Sequence, residues 1–270
     1  MRLAAFALAL NALALPFLCS PATAQSKTEI VDVVVRPGVT MRYLWTPAAG
    51  GATAAVILLA GGKGALKLSP AGDFGDLRLN FLIRSRDQFA RHGLAIASLD
   101  AASDNLGGMN GKIRMSSEYA QDVGKVIAEV KKRTGVPVWV IGTSAGTLSA
   151  VNVGARSAPP PDGIVLTSTM TTLDNTGHCG VTVYNAPLAS IRKPVLVVSH
   201  KDDGCACSPG APEVGAKLVA ALSSTSAKEF KMFAGGSKPQ SPPCEAHSQH
   251  GYLGIEGDVV KWIADWIKAH

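Results

Sequence analysis

Gly142-Thr143-Ser144-Ala145-Gly146 follows an apolar, β-rich run and opens a segment of helical spacing. A serine between two glycines at a strand-to-helix junction suits nucleophilic attack. The turn must be sharp, so the serine takes a strained backbone at its tip while the glycines let neighbouring backbone pass close by. Its hydroxyl then stands above the sheet. The Ala145 N–H, at the start of the helix, points toward negative charge developing on an attacked carbonyl. The chemistry is acyl transfer through a covalent serine intermediate.

Cysteine is the second reactive type, with five in the chain. Cys19 falls within an N-terminal leader. Arg2 supplies a positive start, Leu3 to Leu18 is almost wholly apolar, and Ala22-Thr23-Ala24 is a small-x-small cleavage pattern. We read residues 1–24 as a signal peptide cut before Gln25, and residues 25–270 as one catalytic domain, periplasmic or secreted. Asn11 and Pro16 interrupt a membrane-spanning reading, and Leu18 is bulky where lipoprotein processing asks for a small residue. No later segment is long and apolar enough to span a bilayer, so no transmembrane anchor is expected after processing. Cleavage leaves Cys179, Cys205, Cys207 and Cys244. An even count in an exported chain favours disulfides over free thiols or a metal site. A Cys205–Cys207 bond would close a very small, strained ring. Two pairings remain, each joining the Cys205/Cys207 loop to both Cys179 and Cys244.

The elements that must position these groups alternate in type. Glu29 to Val35 and Thr40 to Trp45, separated by Pro37-Gly38, predict a hairpin. Further strands are expected at Ala54 to Leu59, Leu94 to Leu99, Val136 to Ile141, Gly163 to Thr167, Val195 to Ser199 and Glu229 to Phe233. Between them lie helical patterns at Phe81 to His92, Ser117 to Arg133 (capped by Ser116 or Ser117 and ended by Gly135), Ala145 to Val153, Pro212 to Leu222 and Gly257 to Lys268. This predicts an α/β fold: a mainly parallel eight-stranded sheet flanked by helices, opened by an antiparallel hairpin. Ser168 to Lys193 is too short a connection for a large cap domain. The 270 residues are 47% hydrophobic and 17% charged, a globular composition, with a net charge of +6. Lys and Arg are scattered, and the run Lys131-Lys132-Arg133 ends a helix whose dipole favours cations there. Nothing in this pattern points to nucleic acid.

On the Gly-x-Ser-x-Gly elbow, its preceding strand and its following helix, the chain from about Glu29 to its C-terminus resembles the α/β-hydrolase superfamily. The resemblance implies a triad in the order serine, acid, histidine. It places the acid after the Val195 to Ser199 strand, where Asp203 is preferred and Asp202 is the alternative. It places the base after the last strand, where His250, in His250-Gly251-Tyr252, is preferred over His247. It also implies an oxyanion donor from Ala60-Gly61-Gly62-Lys63-Gly64, with Gly62 and Lys63 as candidates beside Ala145. Many members carry His-Gly here; this chain has Ala60-Gly61. His178 and His200, in loops near the site, read as structural or substrate-lining, and His92 and His270 as surface residues. A Cys205–Cys244 bond would tie the acid loop to the base loop.

The expected activity is hydrolysis of an ester-type substrate, a small molecule or a polymer end, through an acyl-enzyme without metal or organic cofactor. The alternatives are a serine peptidase or amidase, and a binding protein on the same scaffold. Export predicts that the secreted protein begins at Gln25, which intact-mass measurement of the exported product checks.

Overall fold

The computed structural model describes residues 28–174 and 179–270. The expected signal peptide and His178 lie outside the described residues. Eight strands form one sheet. They are β1 (Glu29–Arg36), β2 (Val39–Thr46), β3 (Ala54–Leu59), β4 (Leu94–Ala102), β5 (Val138–Thr143), β6 (Gly163–Thr167), β7 (Val195–His200) and β8 (Lys228–Phe233). Their order is β1-β2-β4-β3-β5-β6-β7-β8. β1 pairs antiparallel with β2, and β2 antiparallel with β4; every pairing from β4 to β8 is parallel.

The helices are α1 (Phe81–Arg91), α2 (Gly111–Arg114), α3 (Ser117–Thr134), α4 (Gly146–Arg156), α5 (Pro212–Ala221) and α6 (Glu256–Ala269). The central strands are buried on both faces, and alternate residues serve opposite cores. In β5, Val138 and Val140 join Val123, Val126, Leu148 and Val151 of α3 and α4. Trp139 and Ile141 join Phe89, Val260, Ile263 and Trp266 of α1 and α6 on the other face. Among the described residues, no helix is long and apolar enough to cross a membrane.

Local rules set the ends. The Ser116 hydroxyl accepts from the Tyr119 N–H at 3.1 Å, which starts α3, and Gly135, left-handed at φ 68°, stops it. Several elements depart from the sequence expectation: β5 lies two residues later than Val136 to Ile141, and α4 runs on past Val153 to Arg156. β4 runs three residues past Leu99 because its end pairs with β2, Ala102 standing opposite Met41; the buried Asp100 carboxylate accepts the N–H groups of Leu66 at 2.6 Å and Leu68 at 2.8 Å. α2, a single turn opened by the Asn110 side chain, was not expected. The connection after β6 carries the short 3₁₀ turns Val183–Asn185 and Leu188–Ser190, with no inserted domain among its described residues.

The sheet brings the site together at one edge. The chain passes from β3 outward to β4, then returns to place β5 on the other side of β3, so the carboxyl ends of β3 and β5 lie side by side at a topological switch point. Leu59 stands opposite Gly142 in that register. The glycine loop after β3 therefore meets the elbow after β5.

Two disulfides brace the loop that follows β7: Cys205 is bonded to Cys244, and Cys179 to Cys207. The first joins residues 39 apart in sequence, which restricts the unfolded chain considerably. The double substitution Cys205→Ser with Cys244→Ser is expected to lower unfolding stability by about 2–4 kcal/mol, read from denaturant midpoints under non-reducing conditions.

Candidate active site

Ser144 sits at φ 52°, in the left-handed region that a non-glycine residue adopts only at a cost. Its conformation is held from both sides. Its N–H donates to the Thr167 carbonyl at 3.0 Å, and its own carbonyl accepts the Thr147 N–H at 2.9 Å and the Thr147 hydroxyl at 2.6 Å. The flanking glycine is sterically required, since a β-carbon at Gly146 would fall 2.1 Å from the Leu59 carbonyl oxygen. Across the switch point, a β-carbon at Gly61 would lie 2.9 Å from that of Ser144.

β7 ends at His200 and delivers Asp203 a short turn later. Asp203 is buried, and one carboxylate oxygen accepts the Cys205 N–H at 2.9 Å. The other lies 2.9 Å from His250 Nδ1. Both side chains are shielded, with 1% of Asp203 and 6% of His250 exposed. An ionised carboxylate only accepts, so Nδ1 carries the proton and Nε2 of the neutral ring presents a lone pair. Nε2 has no hydrogen-bond partner among the described residues. His250 and Ser144 line the same cleft, of about 660 Å³.

The other sequence candidates stand apart from this contact. Asp202 is exposed, and its N–H donates to His200 Nδ1 at 3.0 Å. His200 is buried, with Nε2 3.0 Å from the Gly235 carbonyl, and so serves the loop rather than the cleft. His247 lines neither this cleft nor its neighbour. His92 caps α1 and His270 ends α6.

Three positioning groups had no role assigned from sequence, although Tyr252 closes the His250-Gly251-Tyr252 pattern. The Ser168 hydroxyl donates to the His250 carbonyl at 2.7 Å. The Tyr252 hydroxyl accepts the Ser168 N–H at 3.1 Å and donates to the Val198 carbonyl at 2.9 Å. Burial pushes the Tyr252 phenol well above its ordinary range, so it stays a donor. The third is Arg114 at the end of α2. Its guanidinium is buried and donates to the carbonyls of Ala60 and Gly62 and to the Ser149 hydroxyl. Asn110 before Gly111 is the one local signal that could have revealed α2, as a helix-capping residue.

The Gly62–Lys63 loop and Ala145 flank Ser144. Gly62 lines both clefts with Ser144, while Lys63 and Ala145 line the second, of about 550 Å³. The Lys63 side chain is exposed. Ala145 precedes α4, where backbone N–H groups lack intrahelical partners. The first cleft is walled by Phe74, Leu77, Leu79 and Phe81. The second is walled by Met109, Leu148, Met170, Val181 and cysteines of both disulfides.

The family described as "Serine aminopeptidase, S33" matches residues 81–184, from α1 through the elbow to the loop after β6. Comparison with curated protein sequences gives no match. Among solved structures, a dienelactone hydrolase from Anabaena variabilis is 15% identical with a TM-score of 0.63, covering 91% of this chain and 99% of its own. An esterase of Pyrococcus furiosus is 14% identical with a TM-score of 0.63, covering 90% and 92%. A variant of a monoglyceride lipase from Saccharomyces cerevisiae, bound to a substrate analogue, is 13% identical with a TM-score of 0.60, covering 92% and 97%. At these identities the likeness is one of fold, and it extends over nearly the whole chain. Sheet order, elbow and matched segment agree: the chain has the α/β-hydrolase fold.

Proposed function

We propose that the protein is an exported serine hydrolase that cleaves a carboxylic ester through an acyl-enzyme. One observation carries the reading. A buried imidazole is held at Nδ1 by Asp203, its Nε2 has no partner among the described residues, and the residue lines the same cleft as Ser144.

In this mechanism His250 Nε2 takes the Ser144 proton as the hydroxyl oxygen attacks the ester carbonyl. Asp203 fixes the tautomer and stabilises the imidazolium that forms. The negative charge moves to the carbonyl oxygen, which accepts hydrogen bonds from Ala145 and from the Gly62–Lys63 loop. Collapse expels the alcohol, protonated by His250. Water then attacks the acyl-serine by the same route and releases the acid. The two clefts meeting at Ser144 supply one arm for the acyl group and one for the leaving group, which suits a small ester or a polymer end. Hydrolysis of amides by the same groups is the second reading. The match to a family described as serine aminopeptidase favours it, whereas the structural neighbours named above include an esterase and a lipase.

Serine-directed fluorophosphonate is expected to label the folded protein at Ser144, and Ser144→Ala to abolish labelling together with turnover of p-nitrophenyl esters. Asp203→Asn is expected to lower kcat about 10³–10⁴-fold by admitting the wrong tautomer. Asp202→Asn should leave kcat within about twofold, as for a residue outside the unit. Labelling that persists undiminished in Ser144→Ala sinks the assignment. A panel of esters and peptides on the wild type separates esterase from amidase.

A further inference from the structure

Arg114 is 1% exposed, and burial pulls its guanidinium below the ordinary arginine range. Among the described residues no carboxylate pairs with it. Its partners are neutral oxygens: Ser149 Oγ at 2.9 Å, the Gly62 carbonyl at 3.0 Å and the Ala60 carbonyl at 3.2 Å. Nε has no partner. A buried cation without a counter-charge is unfavourable, and an apolar side chain of similar volume would pack the same space at less cost. The arrangement calls for a reason beyond packing.

The reason lies in the peptide plane. In a trans peptide the C=O and the following N–H point in opposite directions. Arg114 draws the Gly62 carbonyl inward, so the Lys63 N–H faces away from the guanidinium. Its bond to the Ala60 carbonyl turns the Gly61 N–H in the same way. The rest of the loop is fixed around this grip. The Gly64 N–H donates to the Gly61 carbonyl at 3.0 Å, and the Met109 N–H to the Lys63 carbonyl at 2.8 Å. The loop also closes over Arg114 without room for a side chain, since a β-carbon at Gly64 would lie 2.4 Å from Nη2.

We propose that Arg114 is the positioning residue of the oxyanion site. Its guanidinium holds the Ala60 and Gly62 carbonyls inward, aims the loop N–H groups at the oxygen that becomes negative when Ser144 attacks, and stands behind them as a positive charge. The role rests on the serine-hydrolase reading, but the loop geometry it requires can be measured without turnover.

The test uses the full-length mature protein, with Arg114→Met, Arg114→Lys and Ser149→Ala. In Arg114→Met, kcat on p-nitrophenyl acetate is expected to fall about 10²-fold, as when an oxyanion donor is misplaced, with KM changed by less than about threefold. Binding of a trifluoromethyl ketone, which forms an anionic hemiketal on serine, should weaken by a similar factor, since the lost interaction belongs to the charged state. Arg114→Lys keeps the charge without the fork and should fall between wild type and Arg114→Met. Amide exchange at Gly64 and Met109 should quicken about tenfold in Arg114→Met as the loop loosens. A folded Arg114→Met with kcat and hemiketal affinity both within about threefold of wild type overturns the proposal. If Arg114→Met does not fold, Ser149→Ala decides. Loss of that tether should lower kcat about three- to tenfold, and unchanged kcat with unchanged exchange overturns it. If wild-type protein neither turns over esters nor takes the fluorophosphonate, the hydrolase reading fails. Exchange at Gly64 and Met109 in the variants then still decides whether Arg114 sets the loop.

Discussion

The 2.9 Å contact between Asp203 and His250 is the constraint on which the site depends. A carboxylate can only accept a hydrogen bond, so the contact decides which ring nitrogen holds the proton and which is left as a base. Burial makes the decision firm, because neither partner can exchange the other for water without first leaving the protein interior. The two residues lie 47 apart in sequence, and each loop that carries them is secured separately. Asp203 is set by its bond to the Cys205 N–H and by the Gly210 N–H on its own carbonyl. His250 is set by Ser168 and, through it, by Tyr252 and the end of β7. The strand that delivers Asp203 therefore also anchors His250.

The serine half of the site obeys a different constraint, which is steric. At the switch point the β3 and β5 ends are adjacent strands, and the chain leaving each must turn within a few residues. The cost is concentrated there: a serine in the left-handed region, worth about 1–3 kcal/mol, and a buried arginine without a carboxylate. Such costs are carried by the sheet beneath, whose central strands are covered by helices on both faces.

Legibility in the sequence followed the range of the interaction. The elbow was readable because its strand, glycines and helix are contiguous. The hairpin, the buried strands and the caps of α3 are local in the same sense. The choice between Asp202 and Asp203 was not local. Adjacent residues in a turn differ in direction, and only the fold shows that one faces water and the other the imidazole. Arg114 was illegible for a stronger reason. Arginine in a short polar segment reads as surface, and its burial depends on a glycine loop more than 50 residues earlier and a serine 35 residues later. The β4 end was misjudged because it is set by pairing with a strand far earlier in the chain, Ala102 standing opposite Met41 of β2.

The disulfides show how rigidity is apportioned. Cys205 and Cys207 are separated by one residue, yet they take their partners from different segments of the chain. One bond runs to the segment that precedes His250 and limits drift between acid and base, where displacement of a fraction of an ångström is costly to proton transfer. The other runs to Cys179 and fastens the loop after β6, whose Gly180 and Val181 wall the second cleft. A single short loop thus ties together the Asp203–His250 contact and one wall of the second cleft. Beside the disulfides, the Asp203 hydrogen bonds and the N–H groups of Thr171 and Thr172 on the Cys207 carbonyl hold the same loop.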